Sequence, residues 1–136
     1  MGTEESLERF GLVPADAVLP GIRSLLAEEA DAERQGKCRE EDLALLCCVQ
    51  LFACGLLEDV LRIWDAKSAG MDLGCAIDVQ LLCGAGLEKT KQFLESQTGH
   101  APMAALNAIC ESESAGDFET FSPADHLAYY RRYFGV

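Results

Sequence analysis

The chain has 136 residues, a formal charge of −12 and a composition that is 49% hydrophobic and 25% charged. That profile excludes a disordered tail or a low-complexity rod and fits one globular domain. The excess of acids over bases speaks against a nucleic-acid or anionic-membrane surface, since phosphate recognition depends on clustered Lys and Arg. An acidic surface suits a basic protein partner instead.

In chain order, residues 1–14 form a polar lead-in with a short helix from Glu4 to Phe10, ended by Gly11 and Pro14. Met1-Gly2 with Ser6 matches the short M-G-x-x-x-[ST] myristoylation pattern, but Glu4 and Glu5 oppose an anionic leaflet. The N-terminus lacks a basic and then apolar signal segment, so a cytoplasmic location is expected. A helix from Pro20 to Gln35 follows, with proline in the first turn, Ile22, Leu25, Leu26 and Glu29 on one face, and Gly36 as the stop.

Arg39-Glu40-Glu41-Asp42 opens an apolar helix reaching Cys54, its acids complementing the helix dipole. Leu43 to Leu57 is free of charge but too short to span a bilayer, which takes about 18–20 residues, so it reads as core. Gly55 breaks this helix. A helix from Leu57 to Ser68 places Leu57, Val60, Leu61 and Trp64 inward and Glu58, Asp59, Arg62 and Asp65 outward. Next come a mostly apolar helix from Leu73 to Cys83, a Gly84-Ala85-Gly86 break and an amphipathic helix from Leu87 to Ser96. A loop carrying His100 leads to a helix from Pro102 to Glu113, and Ser122-Pro123-Ala124-Asp125 starts a last helix to Phe134. No alternating run is long enough for a strand. The fold class is all-α, six to seven helices, either stacked antiparallel hairpins in an α-solenoid-like array or a compact helical globule.

The sequence repeats internally. Val49 to Ala66 aligns without gaps on Val79 to Ser96, with Val49/Val79, Gln50/Gln80, Leu51/Leu81, Leu57/Leu87 and Glu58/Glu88 identical. Each copy reads as an apolar helix, a glycine turn and an amphipathic helix, the content of stacked helical hairpins. The hinge strings ACGLLED (53–59), GAGLEKT (84–90) and AGDFE (115–119) resemble the turns of tetratricopeptide and pentatricopeptide repeats, and an ankyrin-like hairpin is similar at this level. The resemblance covers residues 43–121. It implies hairpin units at 43–68, 73–96 and 102–121 within one domain, 1–136, closed by the helix 123–134. It also implies a binding scaffold without catalysis. The RNA binding of pentatricopeptide members is not carried over, because the chain is acidic.

The seven cysteines form no CxxC or CxxH pair, so no metal site is expected and the thiols read as reduced and mostly buried. No phosphate loop, dinucleotide fingerprint or HExxH occurs, so neither catalytic residues nor a cofactor is expected. His100 and His126 read as surface histidines. Gln50, Asp78 and Gln80 are the polar residues of the apolar repeat helices and are candidates to read a bound segment on an open face. On the last helix, Leu127, Tyr130 and Phe134 form a packing stripe, while His126, Tyr129 and Tyr133, flanked by Arg131 and Arg132, form a candidate partner-binding stripe, tyrosine and arginine being enriched in binding hot spots. The expected function is a non-catalytic module docking on a basic protein, of inhibitor or immunity type. The alternative is a small ligand-binding domain or enzyme with a pocket near Asp78 and Gln80. No nucleic-acid or membrane partner is expected, and the oligomeric state is a monomer or a homodimer joined through the last helix.

Overall fold

The computed structural model describes residues 1–37 and 42–136. The expected helix start at Arg39, Glu40 and Glu41, and Cys38, lie outside the described residues. Eight α-helices follow one another: α1 Thr3–Phe10, α2 Leu19–Arg34, α3 Leu43–Cys54, α4 Val60–Lys67, α5 Met71–Ala76, α6 Leu87–Ser96, α7 His100–Ser114 and α8 Pro123–Phe134. Short 3-10 segments stand at Asp16–Val18, Leu57–Asp59 and Val79–Leu82. There is no strand among the described residues. No described helix is long and apolar enough to cross a membrane.

Helix α3 is the axis of a compact helical fold. Every residue from Leu43 to Phe52 is buried, which an apolar helix achieves only when packed on all sides. α2 and α8 both pack against it, and α4 joins α2, α5 and α7 around it. The core includes Ile22, Leu26, Leu46, Ile63, Leu81, Leu94 and Ile109 from six elements. Cys47, Cys48 and Cys83 are buried in it, Cys54 is half-buried, and Cys75 and Cys110 are exposed; all six described cysteines are free.

Three expectations change. The helix expected from Leu73 to Cys83 is α5 and then a 3-10 segment, broken at Ile77 and Asp78, whose backbones are extended. The break has two local causes: Gly74 weakens the helix, and Asp78 turns its carboxylate on the N–H of Leu81 at 3.2 Å, capping the next segment. The two repeat copies therefore differ in their first halves, α-helical at Val49 and 3-10 at Val79. Second, Asp59 does not face out: its side chain is 1% exposed. Residues 57–59 are 3-10, turning about 120° per residue instead of 100°, so the α-helical face drawn back from Val60 misplaces it. Third, His100 is the first residue of α7 and not part of a loop.

The two glycine hinges meet in space. A Cβ on Gly84 would lie 2.4 Å from the carbonyl oxygen of Phe52, and one on Gly55 would lie 3.1 Å from the carbonyl oxygen of Gly84. Both obstacles are backbone and cannot swing aside. Gly84→Ala should cost about 2–3 kcal/mol through forced displacement of α3 against its neighbour, read as a lowered urea midpoint. A stability within about 0.5 kcal/mol of wild type, the usual range for exposed positions, would show that the hinges are not in that contact.

Candidate functional site

Asp78 is the organising residue. The break after α5 leaves it at the N-terminus of the Val79–Leu82 segment, with one carboxylate oxygen taking the Leu81 N–H. On the facing helix, Ser122 caps α8 by accepting from the Asp125 N–H at 3.1 Å, which fixes the helical register. That register sets His126, Tyr129 and Tyr130 on neighbouring positions of one surface, since residues three and four apart are adjacent on a helix. His126 Nε2 lies 3.0 Å from Asp78 Oδ1, and Tyr130 Oη donates to Asp78 Oδ2. A carboxylate only accepts, so in this bond the His126 Nε2–H is the donor.

The physical setting is aromatic and partly dry. His126 lies against Phe52 and Phe121, both at 5.6 Å between ring centres, against Tyr130 edge-on at 5.3 Å, and stacked with Tyr129 at 6.1 Å and 18°. Burial, and next the bond to Asp78, push the Tyr130 hydroxyl well above its ordinary range, so it remains a donor. Behind the site, Lys67 donates to the carbonyls of Gly74 and Ile77 at 2.7 and 2.5 Å, capping the end of α5. Burial lowers its affinity for the proton while Asp78 raises it.

Beside the Asp78–His126 pair opens a cleft of about 320 Å³, lined by Asp78, Gln80, Asp117, Phe121, Asp125 and Tyr129 among others. Among the described residues, no lysine or arginine lines it. The acids of a second groove are treated differently. In the groove between α2 and α4, Asp59 takes two bonds from Arg23, at 2.8 and 3.0 Å, and one from Arg62 at 3.0 Å, while Arg34 pairs with Asp65 at 2.5 Å. Bonding to these acids holds the Arg23 and Arg34 guanidiniums above their ordinary range.

The residues singled out in the sequence separate into three groups. Asp78, Gln80 and Tyr129 come together at the cleft, where Gln80 Nε2 reaches the Asp117 carbonyl at 3.4 Å and Tyr129 is 50% exposed. Tyr133 and Arg131 are exposed on the last turn of α8 but do not line the cleft; Tyr133 Oη donates to Asp42 Oδ2 at 2.9 Å, at the start of α3. Gln50 is a correction. It is fully buried and faces no open surface. Its Nε2 donates to the Gly11 carbonyl at 2.9 Å and to Ser6 Oγ at 3.3 Å, holding α1 onto α3, so it binds a segment of its own chain.

His126 is expected as a surface histidine in the stripe with Tyr129 and Tyr133, and the structure places it differently. It is a bonded, mostly enclosed side chain and not a free surface histidine. No local pattern links it to Asp78, 48 residues earlier. The signal in the sequence is its place in the stripe with Tyr129 and Tyr133, beside Asp125 in a well-capped helix. The described residues hold no cluster of three or more His, Cys, Asp or Glu fit for a metal ion. Comparison with family models, with curated proteins and with solved structures gives no match to this chain.

Proposed function

We propose that the chain is a non-catalytic binding module that docks on a basic protein, of inhibitor or immunity type, and works in the cytoplasm. The observation that carries this reading is the cleft at Asp78, Asp117 and Asp125, which presents carboxylates with no lysine or arginine lining it among the described residues, in a chain of charge −12. Among the described residues Arg23, Arg34, Arg62 and Lys91 are committed to ion pairs elsewhere. A partner's Lys or Arg supplies what the cleft lacks, and such complementarity sets on-rate and specificity. The likeness of residues 43–121 to helical-hairpin repeats supports a scaffold role as well.

The test is a salt titration of binding to an arginine- and lysine-rich peptide. Affinity should fall by about tenfold between low and physiological ionic strength, as exposed charges are screened over about 8–10 Å. Asp117→Asn with Asp125→Asn should weaken binding several-fold while leaving the thermal midpoint in place, because asparagine still accepts the Ser112 hydroxyl bond at 117. Affinity indifferent to salt and to both substitutions would remove this reading.

One observation favours the alternative, a small ligand-binding or catalytic pocket at Asp78 and Gln80: a histidine oriented by a carboxylate beside a cleft is the arrangement of a general base. A small molecule that stabilises the protein in a salt-independent way, and fails to do so in His126→Gln, would transfer the assignment to it.

A further inference from the structure

We propose that the cleft is a receptor for one arginine side chain of the partner, gripped by the Tyr129 ring and the carboxylates of Asp117 and Asp125. This rests on the docking reading above and names the chemical unit that enters the site. At about 320 Å³ the cleft stands at the lower end of small-ligand sites, about 300–1,000 Å³. It has room for one extended side chain and not for a helix.

Its walls are aromatic as well as acidic. Tyr129 is half exposed and stacked on His126, whose Nε2 is held by Asp78. Phe121 stands against His126 and is braced behind by Phe118 at 5.2 Å, edge to face. Both rings are therefore held by neighbours before any ligand arrives, so little ordering cost falls on binding. An aromatic face attracts a cation within about 6 Å of its centre. The exposed carboxylates of Asp117 and Asp125 share the rim with these rings.

Arginine fits that combination better than lysine. A guanidinium is flat, stacks on a ring, is weakly hydrated and offers a fork of N–H donors to a carboxylate. An ammonium is a compact, strongly hydrated point charge, and the ring gains less from it. The cleft should thus discriminate between two ligands of equal charge, which long-range electrostatics alone does not.

Two glycine-spaced fluorescent peptides, one basic only through arginine and one only through lysine, measure this on the full chain. The arginine peptide should bind about threefold to tenfold tighter. Tyr129→Leu should bring the two affinities together while leaving their salt dependence, and Tyr129→Phe, which keeps the ring, should keep the preference. Position 129 is exposed, and circular dichroism checks that each variant is folded. Equal affinities in the wild type, or a preference that survives Tyr129→Leu, would overturn the arginine receptor and leave the charge-driven docking intact. If neither peptide binds at low salt, both readings fall together.

Discussion

Asp59→Ala should lower the unfolding free energy by about 3 kcal/mol, the low end of what breaking a buried ion pair costs. Asp59 is 1% exposed and takes bonds from Arg23 Nε, Arg23 Nη2 and Arg62 Nη1. Removing it strands the Arg23 guanidinium, whose side chain is only 20% exposed. Arg23 keeps one bond, to Glu58 at 2.7 Å, and some access to water, which is why the low end applies. Asp59→Asn keeps an acceptor and the volume and should cost about half as much. Urea unfolding reads both. In a double-mutant cycle with Arg23→Met, the second substitution should cost much less in the Asp59→Ala background than alone, since the pair is lost only once. A loss under about 1 kcal/mol for Asp59→Ala, the size of a surface pair, would mean that the network adds no more than an exposed one.

The same residue shows where sequence reading ends. Leu57, Val60, Leu61 and Trp64 do line the inner side of their segment, and α6 and α8 have the bounds that their capping and periodicity give, Leu87–Ser96 and Pro123–Phe134. α6 and α8 were legible because each is one continuous α-helix whose face is set by a single period. Asp59 and the Leu73–Cys83 segment were misread because 3-10 turns interrupt that period. The 78–81 interruption was marked in the sequence, by an aspartate three residues before the N–H it caps. Gln50 was misplaced for a different reason. In α3 every face is buried, so no polar side chain on it could mark an open side.

For the cleft, the sequence supplied Asp78, Gln80 and Tyr129 but not their meeting. The bonds from His126 and Tyr130 to Asp78 join residues 48 and 52 positions apart, brought together because α8 and the Val79–Leu82 segment both pack on α3. Tyr130 is buried as the packing stripe requires, yet its hydroxyl reaches the Asp78 carboxylate at the cleft. Core and site therefore share a residue. The aromatic wall of the cleft is held in shape by the closing helix of the fold, and a substitution that loosens α8 should disturb both.

Alkaline pH should unfold the protein well below the range where most domains fail. Burial pushes the thiols of Cys47 and Cys83 up to about 12, with Glu29 adding to the effect at Cys47, and raises Cys48 well above its ordinary value. In the unfolded chain these groups ionise near 9. The folded state thus holds protons that the unfolded state gives up. Stability is complete below about pH 9 and declines as pH rises toward 12. Each such thiol contributes a slope of about 1.4 kcal/mol per pH unit, so Cys47 and Cys83 together remove about 5 kcal/mol by pH 11. That equals the whole stability of a marginal domain. Tyr130, also raised by burial, adds to the loss at the upper end, while Lys67, shifted downward, opposes it in part. Urea midpoints between pH 8 and 11 should fall steeply, and Cys83→Ala should flatten the decline by one proton. Over the same range Cys75 and Cys110, being exposed, should react with a thiol reagent in the folded protein, and Cys47, Cys48 and Cys83 only once it unfolds. A midpoint level from pH 8.5 to 10.5 would mean that solvent reaches these thiols in the native state, and with them the interior of α3.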